Sequence, residues 1–264
     1  MAFPSLPSWQ ALRAKRYRAT RRLGVAGVVQ HYTQAGNGRA LARWIATKAP
    51  VSAHILICRD GHTIQQVDFE HEAVHAGEFR SKGFWKGQPQ QDNANYFTIG
   101  IENSNYGWLI KDDDGKFWIP KKTVAGYEMW KPYNGPYPVQ AADHRGQMRY
   151  WEPYPSALVA ANVAVLRRIV ALYPQITRRD IQGHSAVSPH RKFDPGPAFP
   201  GTYILDEVFG PPGGKPDAST VGDIVLGGLG DPPEDVEESE ALFAGRDYYD
   251  EDRNMCIDPT LDDL

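Results

Sequence analysis

Fifteen consecutive residues, Gly183-His184-Ser185-Ala186-Val187-Ser188-Pro189-His190-Arg191-Lys192-Phe193-Asp194-Pro195-Gly196-Pro197, contain three prolines and two glycines. Proline fixes φ and removes a backbone donor, so this stretch excludes a regular helix or a central strand. It must be a shaped loop. It begins with His184 and reaches Asp194 ten positions later, with Lys192 two before the aspartate. Such a loop is better suited to holding polar groups in place than to filling a core.

The rest of the chain reads as a frame for that loop. Residues 24–30 are short, apolar and β-branched, a buried strand that delivers His31 at its end. Residues 37–48 carry Leu41, Trp44 and Ile45 at helical spacing, and Pro50 stops them. Residues 53–58 and 62–67 read as strands joined by a two-residue turn at Asp60-Gly61. Residues 97–102 form another apolar strand, ending in Glu102. Residues 156–173 are the clearest helix, with Leu158, Asn162, Val165, Leu166, Ile169, Leu172 and Tyr173 on one face, Ser156 as cap and Pro174 as stop. A short helix is expected over residues 9–18 and a last helical turn over 203–209.

Residues 105–150 are a long excursion rich in aromatics, among them Tyr106, Trp108, Trp118, Tyr127 and Trp130, with a hairpin turn at 112–115. Structureless loops of that length are uncommon in a domain, so order and a function are expected. Alternating strands and helices imply an α/β single domain with a central mixed β-sheet flanked by α-helices. Its limits are set at residues 23–210, after a polar lead-in (1–22) and before an acidic, disordered C-terminal tail (211–264).

Charge divides the same way. The net −3 is the sum of +9 over residues 1–210 and −12 over 211–264. A basic body suits an anionic polymer; no nucleic acid is expected as partner, and the acidic tail could bind an adaptor or carrier protein. No run of eighteen apolar residues exists, which excludes a transmembrane helix. The N-terminal cations lack a following apolar region, so no signal peptide is expected. Cys58 and Cys256 sit in unlike contexts, and no disulfide framework is expected.

If the strand ends share one sheet edge, His31, Glu102, His184 and Asp194 converge there. Two imidazoles and one carboxylate with an open fourth position are the ligand set of a catalytic zinc. Zinc lowers the pKa of bound water towards neutrality. Glu102 can take that proton and pass it to a leaving amine, and Lys192 can hold an oxyanion. Together these describe amide hydrolysis. Singly, His31 or His184 would read as a structural histidine; the spacing to Asp194 and Lys192 favours metal. His54, within a strand, reads as core or a support to the ligands, and His62, His71, His144 and His190 as surface.

Several short motifs occur in order: Val51-Ser52-Ala53-His54, Arg59-Asp60-Gly61, His75-Ala76-Gly77, Ile99-Gly100-Ile101-Glu102, Gly183-His184-Ser185 and Lys192-Phe193-Asp194-Pro195-Gly196-Pro197. Over residues 23–200 the chain resembles the zinc-dependent N-acetylmuramoyl-L-alanine amidases, the amidase-2 group related to peptidoglycan recognition proteins, in an AmpD-like branch. The resemblance implies Zn2+ held by His31, His184 and Asp194, catalysis assisted by Glu102 and Lys192, and cleavage between N-acetylmuramic acid and L-alanine. Substrate contacts are assigned to His75, Ala76, Gly77 and Asn103, although His75 reads equally as a residue that orders its own loop. Val74 stands where the family often has tryptophan, and Ala53 where some relatives have a catalytic tyrosine, which leaves Glu102 as the candidate base.

Two other readings stay open: a non-catalytic peptidoglycan-binding module of the same fold, and a zinc peptidase acting within the stem peptide. The setting expected without a signal peptide is the cytoplasm, recycling muropeptides, or the cell wall after lysis or leaderless export, as a phage lysin or an antibacterial effector. The long excursion favours the wall.

Overall fold

Strand β2 (Gly27–Tyr32) lies in parallel register beside β5 (Thr98–Asn103), with His31 opposite Glu102. In-register residues of parallel strands leave the sheet on the same face. Val28, Ile99 and Ile101 turn to the opposite face and join one core, while Val29 joins another. This is a computed structural model; it describes residues 9–77 and 93–211, with the backbone of two short strands beyond them.

Four more strands complete the central sheet: β1 (Trp9–Ala11), β3 (Ile55–Ile57), β4 (Thr63–Gln65) and β11 (Ile181–Gly183). Their order is β1-β4-β3-β5-β2-β11. All neighbours are parallel except β3 and β4, so the sheet is mixed. The carboxyl ends of β2, β3, β5 and β11 therefore share one edge, where open α/β sheets place their ligands.

Helix α2 (Ser156–Leu172) covers one face through Leu158, Val165, Leu166 and Ile169 against Val28, Ile55, Ile99 and Ile101. Helix α4 (Gly201–Phe209) packs on the same cluster through Ile204. Helix α1 (Gly38–Thr47) covers part of the other face with Leu41 and Ile45 against Leu56 and Ile64. The Asn37 side chain accepts the Ala40 N–H at 3.1 Å and starts α1.

The excursion folds as a second sheet. Strands β6 (Trp108–Lys111), β7 (Phe117–Thr123), β8 (Gly126–Pro132), β9 (Val139–Ala142) and β10 (Met148–Trp151) pair antiparallel in the order β8-β7-β6-β10-β9. The expected turn at 112–115 is present, closed by the Gly115 N–H on the Asp112 carbonyl at 3.1 Å. Buried Glu152 ties this sheet to the first, accepting from Arg59 at 2.9 Å and from the Tyr106 N–H at 2.5 Å.

Several local expectations are corrected. No helix forms over residues 9–18: β1 pairs with the open edge of β4, and the N–H groups of Leu12 and Ala14 donate to Gln65 and Gln66 carbonyls at 2.9 Å. An unpaired edge offers a row of partners that a short polar helix cannot match. Pro155, not Ser156, is the N-cap of α2, and it has no side-chain bond. Leu172 is exposed, because α2 ends there and only Tyr173 turns back to the core. The Asp60-Gly61 turn spans three residues, with the Cys58 N–H on the His62 carbonyl at 2.8 Å. One helical turn, α3 (His184–Val187), forms inside the proline-rich loop ahead of Pro189.

Cys58 is buried and free. Among the described residues no helix is long and apolar enough to cross a membrane. Most of the acidic tail lies outside the described residues; within it, β12 (Tyr248–Asp250) pairs antiparallel with β13 (Met255–Ile257).

Candidate metal centre and its cleft

The proline-rich loop is clasped at its ends. The Ser185 N–H donates to the Asp194 carbonyl at 2.7 Å, so nine positions of separation close to one contact. Gly196 has φ +77°, and a Cβ there would lie 2.5 Å from the Trp151 ring. Only glycine gives both the turn and the close approach.

This brings Asp194 against β2 and α3. Asp194 Oδ2 lies 2.9 Å from His31 Nδ1 and 3.0 Å from His184 Nδ1. All three residues are buried, and their donor atoms lie within 4.8 Å of one another.

The outer ring nitrogens decide the tautomers. His184 Nε2 meets the Ala76 carbonyl at 3.0 Å. A carbonyl only accepts, so that nitrogen carries the proton and Nδ1 presents a lone pair. The Thr98 hydroxyl donates to the Ala94 carbonyl at 2.6 Å and accepts from His75 Nε2–H across 3.4 Å. His75 Nδ1 then accepts from His31 Nε2–H at 3.0 Å. His31 Nδ1 is left bare as well.

Two lone pairs and a carboxylate oxygen thus face one another with no proton between them. A bound divalent cation resolves that repulsion, so the three residues fit a metal. Burial draws the pKa of His184 down to about 3, which keeps it a neutral ligand. Burial also holds His75 well below the ordinary imidazole value, with His31, His54 and His184 adding to the effect. For Asp194 burial works the other way; its carboxyl is held below the ordinary value only by N–H groups or positive charge on the His184 and His31 side, a part that falls to a bound cation once both Nδ1 atoms are bare.

The cluster opens on a cleft of about 290 Å3. Glu102, half-buried beside His31, lines it together with Lys192. The second sheet adds Trp108, Lys122 and Tyr127 to its lining. Trp108 and Tyr127 meet edge to face at 4.9 Å between centroids. Lys122 and Tyr127 are register partners.

The structure brings His31, Glu102, His184, Lys192 and Asp194 together, and leaves Asn103 out. Asn103 is fully buried on the other face, bonded to Gln30 at 2.9 Å and Asn162 at 2.8 Å. His75 and Ala76 reach the cleft, but His75 Nδ1 faces His31 and the Ala76 carbonyl faces His184; Gly77 is buried with its N–H on Asn95 at 3.3 Å. His54 is core, accepting the Gly100 N–H at 2.9 Å. His144 and His190 are exposed, whereas His62 is half-buried and His71 stacks on Tyr17 at 5.2 Å between centroids. Sequence reading did not single out Asn95, or Arg191, which donates to the Ala76 carbonyl. Neither has a local signal.

The chain is 30% identical over 149 residues to the 1,6-anhydro-N-acetylmuramyl-L-alanine amidase AmpD of Escherichia coli K12, covering 56% of this chain and 54% of that protein. It is 29% identical over 228 residues to the N-acetylmuramoyl-L-alanine amidase AmiD of the same organism, covering 84% and 66%. The chain spans about half the length of the AmpD relatives it matches. A crystal structure of a selenomethionine AmpD derivative superposes with a TM-score of 0.49 at 22% identity, covering 77% of this chain and 96% of that one. The family model for N-acetylmuramoyl-L-alanine amidase, Amidase_2, matches residues 20–197, and the chain belongs to that family.

Proposed function

We propose that this chain is a zinc-dependent N-acetylmuramoyl-L-alanine amidase that hydrolyses the amide between N-acetylmuramic acid and the stem-peptide L-alanine in peptidoglycan or muropeptides. The observation that carries the reading is the convergence of His31, His184 and Asp194 on one cleft with Glu102 in register beside His31. The AmpD and AmiD relatives support it.

Two imidazoles and one carboxylate suit a borderline cation such as zinc better than calcium or magnesium. When bound, zinc supplies Lewis acidity and a water acidic enough to attack near neutral pH. Glu102 accepts the proton of the attacking water and returns it to the departing L-alanine amine. Lys192 offers its ammonium to the carbonyl oxygen as charge develops. Buried Asp194 stays ionised and lowers the net charge of the site.

The catalytic unit is assigned to residues 23–210, with β1 ahead of it adding an edge strand to its sheet and the acidic segment beyond it as an accessory that could dock an adaptor or carrier. The wall of Trp108, Lys122 and Tyr127 favours a substrate that extends past a small soluble fragment, and so a role on polymeric wall.

The test is mass spectrometry of products from purified sacculi and from soluble muropeptides, with zinc and with chelator. Metal-dependent release of stem peptides beginning with L-alanine is expected. Cuts within the stem would make the protein a peptidase. Inertness on both substrates with zinc bound would make it a binding module.

A further inference from the structure

The outer faces of both metal histidines rest on two consecutive residues. His31 Nε2–H donates to His75 Nδ1 at 3.0 Å, and His184 Nε2–H donates to the Ala76 carbonyl at 3.0 Å. The His31 and His184 rings stand nearly perpendicular, at 80° and 4.5 Å between centroids. One peptide segment therefore sets the tautomer of both ligands and the angle between them.

That segment is itself pinned. Asn95 Oδ1 accepts three successive backbone N–H groups, from His75 at 3.1 Å, Ala76 at 2.8 Å and Gly77 at 3.3 Å. Asn95 is buried in the turn before β5, the strand that carries Glu102. The His75 ring is seated over Gly100 of that strand, where a Cβ would lie 2.5 Å from its Cγ. Any residue larger than glycine at position 100 would push the ring off His31.

We propose that His75 is a positioning residue for the metal: with Ala76, and held by Asn95 and Gly100, it fixes the ligand histidines so that both present Nδ1, rather than contacting substrate. The inference rests on His31, His184 and Asp194 binding zinc. Hydrogen-bond partners of this kind raise ligand basicity and lock ring orientation, and losing one typically weakens metal binding about 10- to 100-fold.

The experiment measures zinc affinity by chelator competition, and the cobalt(II) absorption spectrum, for the full chain and for His75→Ala, His75→Asn and Gly100→Ala. His75→Ala is expected to bind zinc about 10- to 100-fold more weakly and to shift the cobalt bands. His75→Asn places an acceptor oxygen where Nδ1 stood and is expected to recover much of the affinity. Gly100→Ala keeps the imidazole but displaces it, and is expected to resemble His75→Ala. Wild-type affinity and spectrum in His75→Ala would overturn the proposal while leaving the metal site standing. Equal losses in His75→Ala and His75→Asn, tracking a fall in melting temperature, would also overturn it, since packing alone would then be at work. A wild-type chain that takes up no zinc would sink the metal reading itself.

Discussion

Asn162 of α2 donates to Asn103 of β5 across 2.8 Å, on the sheet face away from the metal cluster. Asn162 also exchanges bonds with Gln30 at 3.1 and 3.0 Å, and Asn103 Nδ2 donates to the His31 carbonyl at 2.9 Å. A buried amide network therefore backs the strand that carries the first metal histidine.

Replacing Asn162 with leucine should orphan groups on Gln30 and Asn103. Each buried orphan costs on the order of 1–3 kcal/mol. Urea unfolding of Asn162→Leu should show that loss, with the denaturant slope unchanged. An unchanged midpoint would mean that the network relaxes or is hydrated.

Glu102→Gln keeps the shape of the side chain and removes its basicity. Turnover should fall by about 10²–10⁴-fold, while zinc content stays near one per chain. Retained turnover would assign the proton transfer to another group; lost zinc would mean that Glu102 supports the metal.

Tyr127, 45% exposed, lines the cleft beside its register partner Lys122. Truncating both to alanine should leave the fold intact. It should raise KM on sacculi several-fold with little change on a minimal muropeptide. Equal effects on the two substrates would show that the pair does not read substrate length.

Stability of the metal-free protein should depend on pH in a set direction. Burial, reinforced by Arg21, holds His54 well below the ordinary imidazole value of 6.5, and burial draws His184 to about 3. In the unfolded chain both titrate near 6.5. Below that pH the unfolded chain binds protons that the fold refuses, so stability is complete above about pH 6.5 and declines as pH falls towards the folded values. The slope is about 1.4 kcal/mol per pH unit for each such histidine. Urea midpoints in chelator from pH 8 to pH 5 should be flat and then fall; midpoints that stay flat to pH 5 would contradict the burial.

Much of the site was legible because its signals are local. Prolines and glycines within a few residues define the loop from His184 to Asp194, and short β-branched runs place His31 and Glu102 near strand ends. The side-chain period of two also puts those two residues on a common face once the strands are parallel and in register. Asn103 shows where that reasoning stops. It follows Glu102 directly, so the same period turns it to the opposite face, into the network with Gln30 and Asn162.

The sequence by itself determined the central strands and the long helix, the candidate donors and the family, since each follows from residue chemistry and short-range spacing. Tertiary structure decided the rest. The segment from residue 9 became a strand because β4 offered an open edge. The aromatic excursion became part of the cleft lining because five strands could pair with one another. His75 came to support His31 because Asn95, twenty residues along, and Gly100, on another strand, hold its loop and seat its ring. Hydrogen-bond groups and space are supplied by whichever elements the fold brings alongside, and no window of local sequence contains both sides of such a contact.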